Sequence, residues 1–329
     1  MRTLIASAAV SLALSLAGEA KAQAACDYPY SVGFTVTTVA GLRVGLWYPT
    51  LAPQSRYTYT SQFTGMVAKD AAPGCGPLPL VVFSHGLGGC GTQSLFFTEE
   101  LARHGYIVAA PDHDDATFCS VDNNRGSFRN LRPQERLRDP ASWSDQTYAD
   151  RRDDLEDLID ALVADPAFGS QIDANAIGAA GHSLGGYTVL GLGGAWSSWK
   201  DPRVKAVLAF SPYIQPFTVH QTLAAMQVPV MYQGAQFDIG ETPWLKGPNG
   251  AYAMSNPPKY FAELRAASHF IWSNAACSKT SSVQACLALP DPSLIDAYGI
   301  AFLDRFLKGQ SSPLLEENGA GLLAWEHAP

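Results

Sequence analysis

Positive charge is in short supply in this chain: 22 lysines and arginines stand against 30 aspartates and glutamates over 329 residues, a formal net charge of −8. Proteins grip a phosphate backbone through clustered cations, so this balance argues against nucleic acid as a partner. The densest arginine group, Arg129, Arg132, Arg136 and Arg138, is interleaved with acids and Pro133 and reads as a solvated insertion. Metal-site spacing is also missing. No C-x-x-C and no His/Cys cluster of zinc type occurs. The acidic run Asp112, Asp114, Asp115 with Asp122 lacks the glycine and glutamate of an EF-hand loop. The expectation is no metal and no cofactor. The phosphate-cradling pattern G-x-x-x-x-G-K-[ST] is absent too. Beyond the N-terminus no apolar run is long enough to cross a bilayer, and neither an internal repeat nor a hydrophilic linker divides the chain.

The first two dozen residues read as an export signal rather than as fold. Arg2 supplies a positive start, Leu4 to Leu16 an apolar stretch too short for a membrane span, and Ala22-Gln23-Ala24 a small-x-small cleavage site. Gln23 argues against a lipoprotein box ahead of Cys26. The expectation is a secreted or periplasmic protein in which residues 1–24 are removed and 25–329 fold as one domain. Loss of Arg2, Lys21 and Glu19 leaves 20 basic and 29 acidic residues, so the sign of the charge is unchanged. All six cysteines lie in the mature part, and an even count in an exported protein predicts disulfides. Proximity favours Cys277 with Cys286; Cys90 with Cys119 and Cys26 with Cys75 complete the set.

Hydrophobic patterning gives the architecture. Tyr30 to Val39 and Leu42 to Tyr48 alternate around Ala40-Gly41, which predicts an antiparallel hairpin. Residues 52–77 are polar and rich in Pro and Gly and read as loop with an irregular strand at most. Leu80-Val81-Val82-Phe83, Tyr106 to Ala110, Ala176 to Ala180, Val204 to Phe210, Val228 to Tyr232 and Tyr260 to Leu264 are short apolar runs, the signature of strands covered on both faces of a parallel sheet. Helical segments fall between or after them at 94–105, 148–165, from Gly186 onward, and at 292–307. Alternating strands and helices predict an α/β fold, a mostly parallel sheet with helices on both faces. Residues 117–144 form a long polar excursion, a candidate lid or cap.

Gly181-His182-Ser183-Leu184-Gly185 stands between one of these strands and a helix. A G-x-S-x-G in that context is a nucleophile elbow, in which small neighbours let the chain turn sharply enough to present the serine. A serine hydroxyl is a weak nucleophile at neutral pH and needs a base, and the base needs an orienting acid. On such a sheet the partners follow in the order Ser, Asp or Glu, His. Four of the seven histidines precede Ser183; of the others, His327 is third from the end of the sequence and His220 follows one strand after the elbow. His269, in a loop after the final expected strand, is therefore the base. Asp238 follows the strand at 228–232 and is the acid, with Glu241 as a substitute in the same loop. Ser84-His85-Gly86-Leu87-Gly88-Gly89 follows the strand at 80–83, where backbone N–H groups of Leu87, together with Leu184 from the elbow, are placed to receive an oxyanion.

Phe83-Ser84-His85-Gly86-Leu87-Gly88, His104 to Ala110 and Gly181 to Gly186 together resemble the secreted platelet-activating-factor acetylhydrolases and the bacterial dienelactone-hydrolase-like esterases, with cutinase-like polyester hydrolases sharing the outline. The resemblance spans about residues 30 to 305. It implies the α/β-hydrolase fold, a Ser183, Asp238, His269 triad and Leu87 and Leu184 as oxyanion donors. Serine rather than cysteine at 183 favours ordinary esters over dienelactones. Trp143, Trp244, Phe270 and Trp272 are candidate walls of an acyl or aromatic pocket, and His85 a candidate substrate contact. The expected function is a serine carboxylic-ester hydrolase acting on small-molecule or polymeric esters, lipid-directed and polyester-directed activity being the narrower versions. Its rival is a silent hydrolase-fold protein that only binds. A monomer is favoured.

Overall fold

The computed structural model describes residues 26–60, 63–117, 137–317 and 319–329. Much of the excursion at 117–144, Cys119 and Asp122 included, lies outside them, as do residues 1–24, expected to be an export signal. Among the described residues the strands are β1 (Ser31–Val39), β2 (Leu42–Thr50), β3 (Ser55–Thr60), β4 (Phe63–Lys69), β5 (Leu78–Ser84), β6 (Ile107–Pro111), β7 (Ile172–His182), β8 (Val204–Phe210), β9 (Val230–Ala235), β10 (Lys259–Leu264) and β11 (Ala324–Ala328). The α-helices are α1 (Leu95–Arg103), α2 (Ala149–Ala164), α3 (Leu184–Leu190), α4 (Gln215–His220), α5 (Thr242–Leu245), α6 (Ala251–Met254), α7 (Val283–Leu287) and α8 (Pro290–Leu307).

One sheet carries the strands in the order β11-β10-β9-β8-β7-β5-β6-β2-β1-β4-β3. Its middle, from β10 to β6, is parallel. The hairpin of β1 and β2 adds antiparallel to β6, with Ala40 and Gly41 both at positive φ, 50° and 80°, in its two-residue turn. From β5 the chain moves outward to β6, crosses back to β7 on the other side of β5, and continues through β8 to β10. The loops after β5 and β7 therefore leave the same edge in opposite directions, and a crevice opens between them.

The continuous apolar runs are explained by two cores. Val81, Phe83, Ala180, Leu208 and Phe210 point to one face, where α1 and α8 cover them. Leu80, Val82, Ile177, Ala179, Val207 and Ala209 point to the other, against Leu155, Leu158 and Ile159 of α2 and Tyr187 and Leu190 of α3. Every second residue serves each face, so both must be apolar. Each fully buried Leu or Phe is worth about 1.5–3 kcal/mol over its exposed state.

Two elements differ from the sequence expectation. Residues 55–60 and 63–69 are a strand pair, β3 with β4, not a loop. Tyr59, Phe63 and Val67 are buried in the α1 face, and the Tyr59 hydroxyl donates to Glu99 on α1 at 2.9 Å. The alternation there is of Tyr with Thr and Arg, which looks polar although its inward half is aromatic. β11 pairs antiparallel with β10 and was not anticipated. Two disulfides join Cys26 with Cys75 and Cys277 with Cys286. Cys90 is buried; the pairing expected for it with Cys119 falls outside the described residues. No helix among the described residues is long and apolar enough to cross a membrane.

Candidate active site

Ser183 sits between the end of β7 and the start of α3 at φ 56° and ψ −118°, a region ordinary residues avoid. The flanking glycines explain how it is reached. A Cβ on Gly185 would lie 1.9 Å from the Ser84 carbonyl oxygen, and one on Gly181 2.4 Å from the Gly185 carbonyl oxygen. Only bare backbone lets α3 start this close to the loop after β5. Ser183 N–H donates to the Phe210 carbonyl at 2.9 Å, which ties the turn to β8.

The structure brings Ser183, His269 and Asp238 into one chain of contacts. His269 Nε2 is 3.0 Å from Ser183 Oγ, and its Nδ1 is 2.9 Å from Asp238 Oδ2. With Nδ1–H donated to the carboxylate, Nε2 is left as an acceptor for the serine proton. Burial pushes the Asp238 carboxyl up, but hydrogen bonds from His269 and Ser211 outweigh it and hold the group below the ordinary aspartate range. Asp238, not its neighbour Glu241, faces Nδ1. Glu241 instead lines the cavity in front of Ser183, and burial pushes its carboxyl up to about 7.

That cavity has a volume of about 750 Å³, with Leu87, Leu137, Leu184, Tyr213 and Phe270 among its walls. Of the aromatic residues expected to line it, Phe270 does so. Trp272 does not: it is fully buried, donating its ring N–H to Gln233 Oε1 at 2.9 Å, with its ring under His182. Trp143 is buried behind Tyr213, ring centroids 4.7 Å apart. Trp244 stands on α5 outside the cavity wall, 41% exposed. His85 is fully buried too. Its Nδ1 meets the Gly86 carbonyl at 2.7 Å and its Nε2 accepts from His113 N–H at 3.0 Å, so it braces the loop from behind rather than reaching a ligand.

In that loop the N–H of Gly86 is taken by Gln93 Oε1 at 3.0 Å and that of Gly88 by Asp115 at 3.1 Å. The N–H of Leu87 between them meets no acceptor among the described residues, and Leu184 N–H belongs to the open first turn of α3. Both residues border the cavity beside Ser183.

Three supporting residues, Ser211, Gln93 and Arg151, escaped the sequence reading. Ser211, directly after β8, donates to Asp238 Oδ2 and lies 2.9 Å from His269 Nδ1. Gln93 offers its amide N–H to His182 Nδ1 at 3.2 Å, which leaves His182 Nε2–H to donate to the His269 carbonyl at 2.8 Å. Burial and the nearby His269 push His182 down to about 3, so it stays neutral in that role. Arg151 on α2 is fully buried; it forks onto Asp115 at 2.8 and 2.9 Å and donates to the His85 carbonyl at 2.7 Å. Asp115 is thereby engaged and Asp112 accepts from Gly91 N–H and Arg43, so neither is arranged as a calcium ligand. Among the described residues no group of three or more His, Cys, Asp or Glu side chains is placed to hold a metal.

Comparison with known proteins adds to this geometry. Residues 54–136 match the family model for platelet-activating factor acetylhydrolase, isoform II. A platelet-activating factor acetylhydrolase from Cavia porcellus is 29% identical over 160 residues, and one from Canis lupus familiaris 31% over 163. Each match takes in 42% of this chain but 36% of the relative, so the chain spans little more than a third of the length of these curated relatives. Among solved structures, a ferulic acid esterase from Streptomyces cinnamoneus superposes with a TM-score of 0.68 at 20% identity, over 93% of this chain and 98% of that one. The chain has the α/β-hydrolase fold. Its elbow, Ser183, lies at the crevice where this fold changes winding direction, and the likeness to platelet-activating factor acetylhydrolases includes the Leu87 loop. Of the supporting residues, Ser211 had a usable signal: it directly follows an apolar strand, at the sheet edge where α/β hydrolases carry their sites.

Proposed function

We propose that this α/β hydrolase is an exported serine esterase that cleaves carboxylic esters through an acyl-enzyme. The observation that carries the reading is the unbroken contact chain from Ser183 Oγ through His269 to Asp238, opening on a cavity of substrate size. Ser183 attacks the ester carbonyl as His269 Nε2 takes its proton. The carbonyl oxygen becomes an oxyanion held by the Leu87 and Leu184 N–H groups, each worth about 3 kcal/mol in the transition state. The tetrahedral adduct collapses, the C–O bond breaks, and the imidazolium returns the proton to the leaving alkoxide. Water then repeats the sequence on the acyl-serine, releasing the acid and free Ser183. Asp238 keeps Nδ1 protonated and stabilises the imidazolium throughout.

Export is supported by the signal-like residues 1–24 and by two disulfides. Within the ester class, the names of the similar proteins point to short acyl esters of the acetyl type and to aromatic esters. The walls contributed by Leu87, Leu137, Leu184 and Phe270 suit apolar acyl groups.

Hydrolysis of p-nitrophenyl esters from acetate to octanoate by the wild type and Ser183→Ala tests the reading. Turnover by the wild type and a fall of about 10³-fold or more in the variant are expected. Equal inactivity of both at every chain length favours the rival binding role.

A further inference from the structure

Behind the Leu87 loop stands a second Ser-His-Asp contact chain. Ser84, the last residue of β5, has its Oγ 2.8 Å from His113 Nε2, and His113 Nδ1 is 2.7 Å from Asp154 Oδ2 on α2. Ser84 is fully buried outside the walls of the Ser183 cavity, and its Oγ also accepts from Arg151 Nη1 at 3.3 Å, so it is no second nucleophile. What the chain does hold is the main chain at His113, whose N–H donates to His85 Nε2 at 3.0 Å. Burial holds His85 down at about 3 and His113 well below its usual 6.5, so both rings are neutral and carry one N–H each. With Nε2 accepting, the His85 proton sits on Nδ1, which donates to the Gly86 carbonyl at 2.7 Å. That carbonyl and the Leu87 N–H are two ends of one planar trans peptide and point in opposite directions. Gripping the oxygen therefore aims the N–H. The Gly89 N–H closes on the same oxygen at 2.9 Å, and a Cβ on Gly86 would lie 3.3 Å from Ser183 Cβ, so this peptide lies against the nucleophile.

We propose that His113, anchored by Asp154 and Ser84, is a positioning residue for ester hydrolysis: acting through His85, it turns the Leu87 N–H toward the oxyanion. The inference rests on the esterase reading above and adds to it the part that sets one oxyanion donor. The anchor holds in either state of Asp154, which burial pushes up to about 7. A carboxylate accepts from His113 Nδ1–H; the protonated acid donates to Nδ1, and Nε2–H then donates to Ser84.

Steady-state kinetics on p-nitrophenyl acetate, with inhibition by a trifluoromethyl ketone whose serine adduct carries the oxyanion, test this in His85→Phe, His113→Phe and the double variant. Each single variant is expected to lose about tenfold in kcat with KM nearly unchanged, less than the roughly 10²–10³-fold lost with a whole donor. Ki for the ketone is expected to rise by about the same factor, because the ketone adduct resembles the transition state. A residue that acts only through another adds nothing once the other is gone, so the double variant is expected to match His85→Phe within about twofold. Asp154→Asn keeps an N–H for Nδ1 and is expected to retain several-fold more kcat than Asp154→Leu; this pair carries the test if a ring variant does not fold. Near-wild-type kcat in folded His113→Phe, losses that multiply in the double variant, a fall in kcat with Ki unchanged, or equal kcat in the two Asp154 variants overturns the positioning role and leaves the esterase standing. Failure of the wild type on p-nitrophenyl acetate and on every other ester removes the esterase reading itself, and the positioning role with it.

Discussion

Ser211 Oγ lies 2.9 Å from His269 Nδ1 and donates to the very carboxylate oxygen, Asp238 Oδ2, that faces the imidazole. The acid is thus held from β8 as well as by its own loop. This hydrogen bond orients the acid and touches no substrate, so its loss should appear in kcat. Ser211→Ala is expected to lower kcat about tenfold with KM nearly unchanged, as steady-state kinetics on a p-nitrophenyl ester will show. An unaltered kcat means that the Asp238 loop holds the acid without help.

Gln93 links the two halves of the site, taking Gly86 N–H on one side and reaching His182 on the other. Removing its amide in Gln93→Leu frees the Leu87 loop and the carbonyl support of His269 together. Complete loss of one oxyanion donor costs about 10²–10³ in kcat; loosening is milder, and a fall of about tenfold is expected. Gln93→Glu should fare no better, because it has no amide N–H to give His182.

Arg151 and Asp115 form a buried ion pair behind the same loop. Arg151→Met leaves Asp115 buried and uncompensated, and a loss of about 3–5 kcal/mol in urea unfolding is expected. Asp115→Leu in the same chain should recover much of that stability, since both charges are then gone. A single-variant loss below about 1 kcal/mol contradicts the pairing.

The two disulfides close loops of different length, with sequence separations of 49 and 9. On the chain-entropy estimate, replacing Cys26 and Cys75 by serine costs about 4 kcal/mol, and replacing Cys277 and Cys286 about 3 kcal/mol. Thermal unfolding of the two double variants should rank in that order.

Stability should peak at mildly acid pH. Burial holds His85 and His182 down at about 3, and His113 well below its usual 6.5, so all three take up protons on unfolding. Their contribution is present above about 6.5 and is lost as pH falls toward 3. Burial has the opposite consequence for Glu99, Asp154 and Glu241, pushed up to about 7. Their contribution is full below about 4.5 and is lost as pH rises through 7. Between about 4.5 and 6.5 the two sets offset. Urea midpoints from pH 3.5 to 8.5 should therefore fall at both ends; a midpoint still climbing at pH 8 contradicts the scheme.

The sequence was most readable where one physical demand acts on consecutive residues. Leu80 to Phe83 had to be apolar throughout because both faces of β5 are covered, and Gly181 and Gly185 had to be bare because backbone passes where a Cβ belongs. Chain order pointed to His269 and Asp238, and the fold brings them within hydrogen-bond reach of each other and of Ser183. Contacts made only by folding were not readable. Gln93 and Arg151 look like ordinary polar residues until the fold brings them to the site, whereas Ser211 at least follows an apolar strand directly. Trp272 is three residues from His269 yet points away from the cavity, since closeness in sequence does not fix the direction of a side chain. Phe270, one residue from His269, faces the cavity. The pairing of β3 with β4 was hidden because little beyond the inward Tyr59, Phe63 and Val67 is apolar there.

The claim on which all of this depends is that Ser183 is the residue that becomes acylated. Incubation of the folded protein with a fluorophosphonate, followed by peptide mass spectrometry, tests it directly. One adduct per chain on the peptide containing Ser183, absent in Ser183→Ala and strongly slowed in His269→Ala, is the predicted result. An adduct on another serine, or none on protein whose fold is verified by circular dichroism, contradicts it.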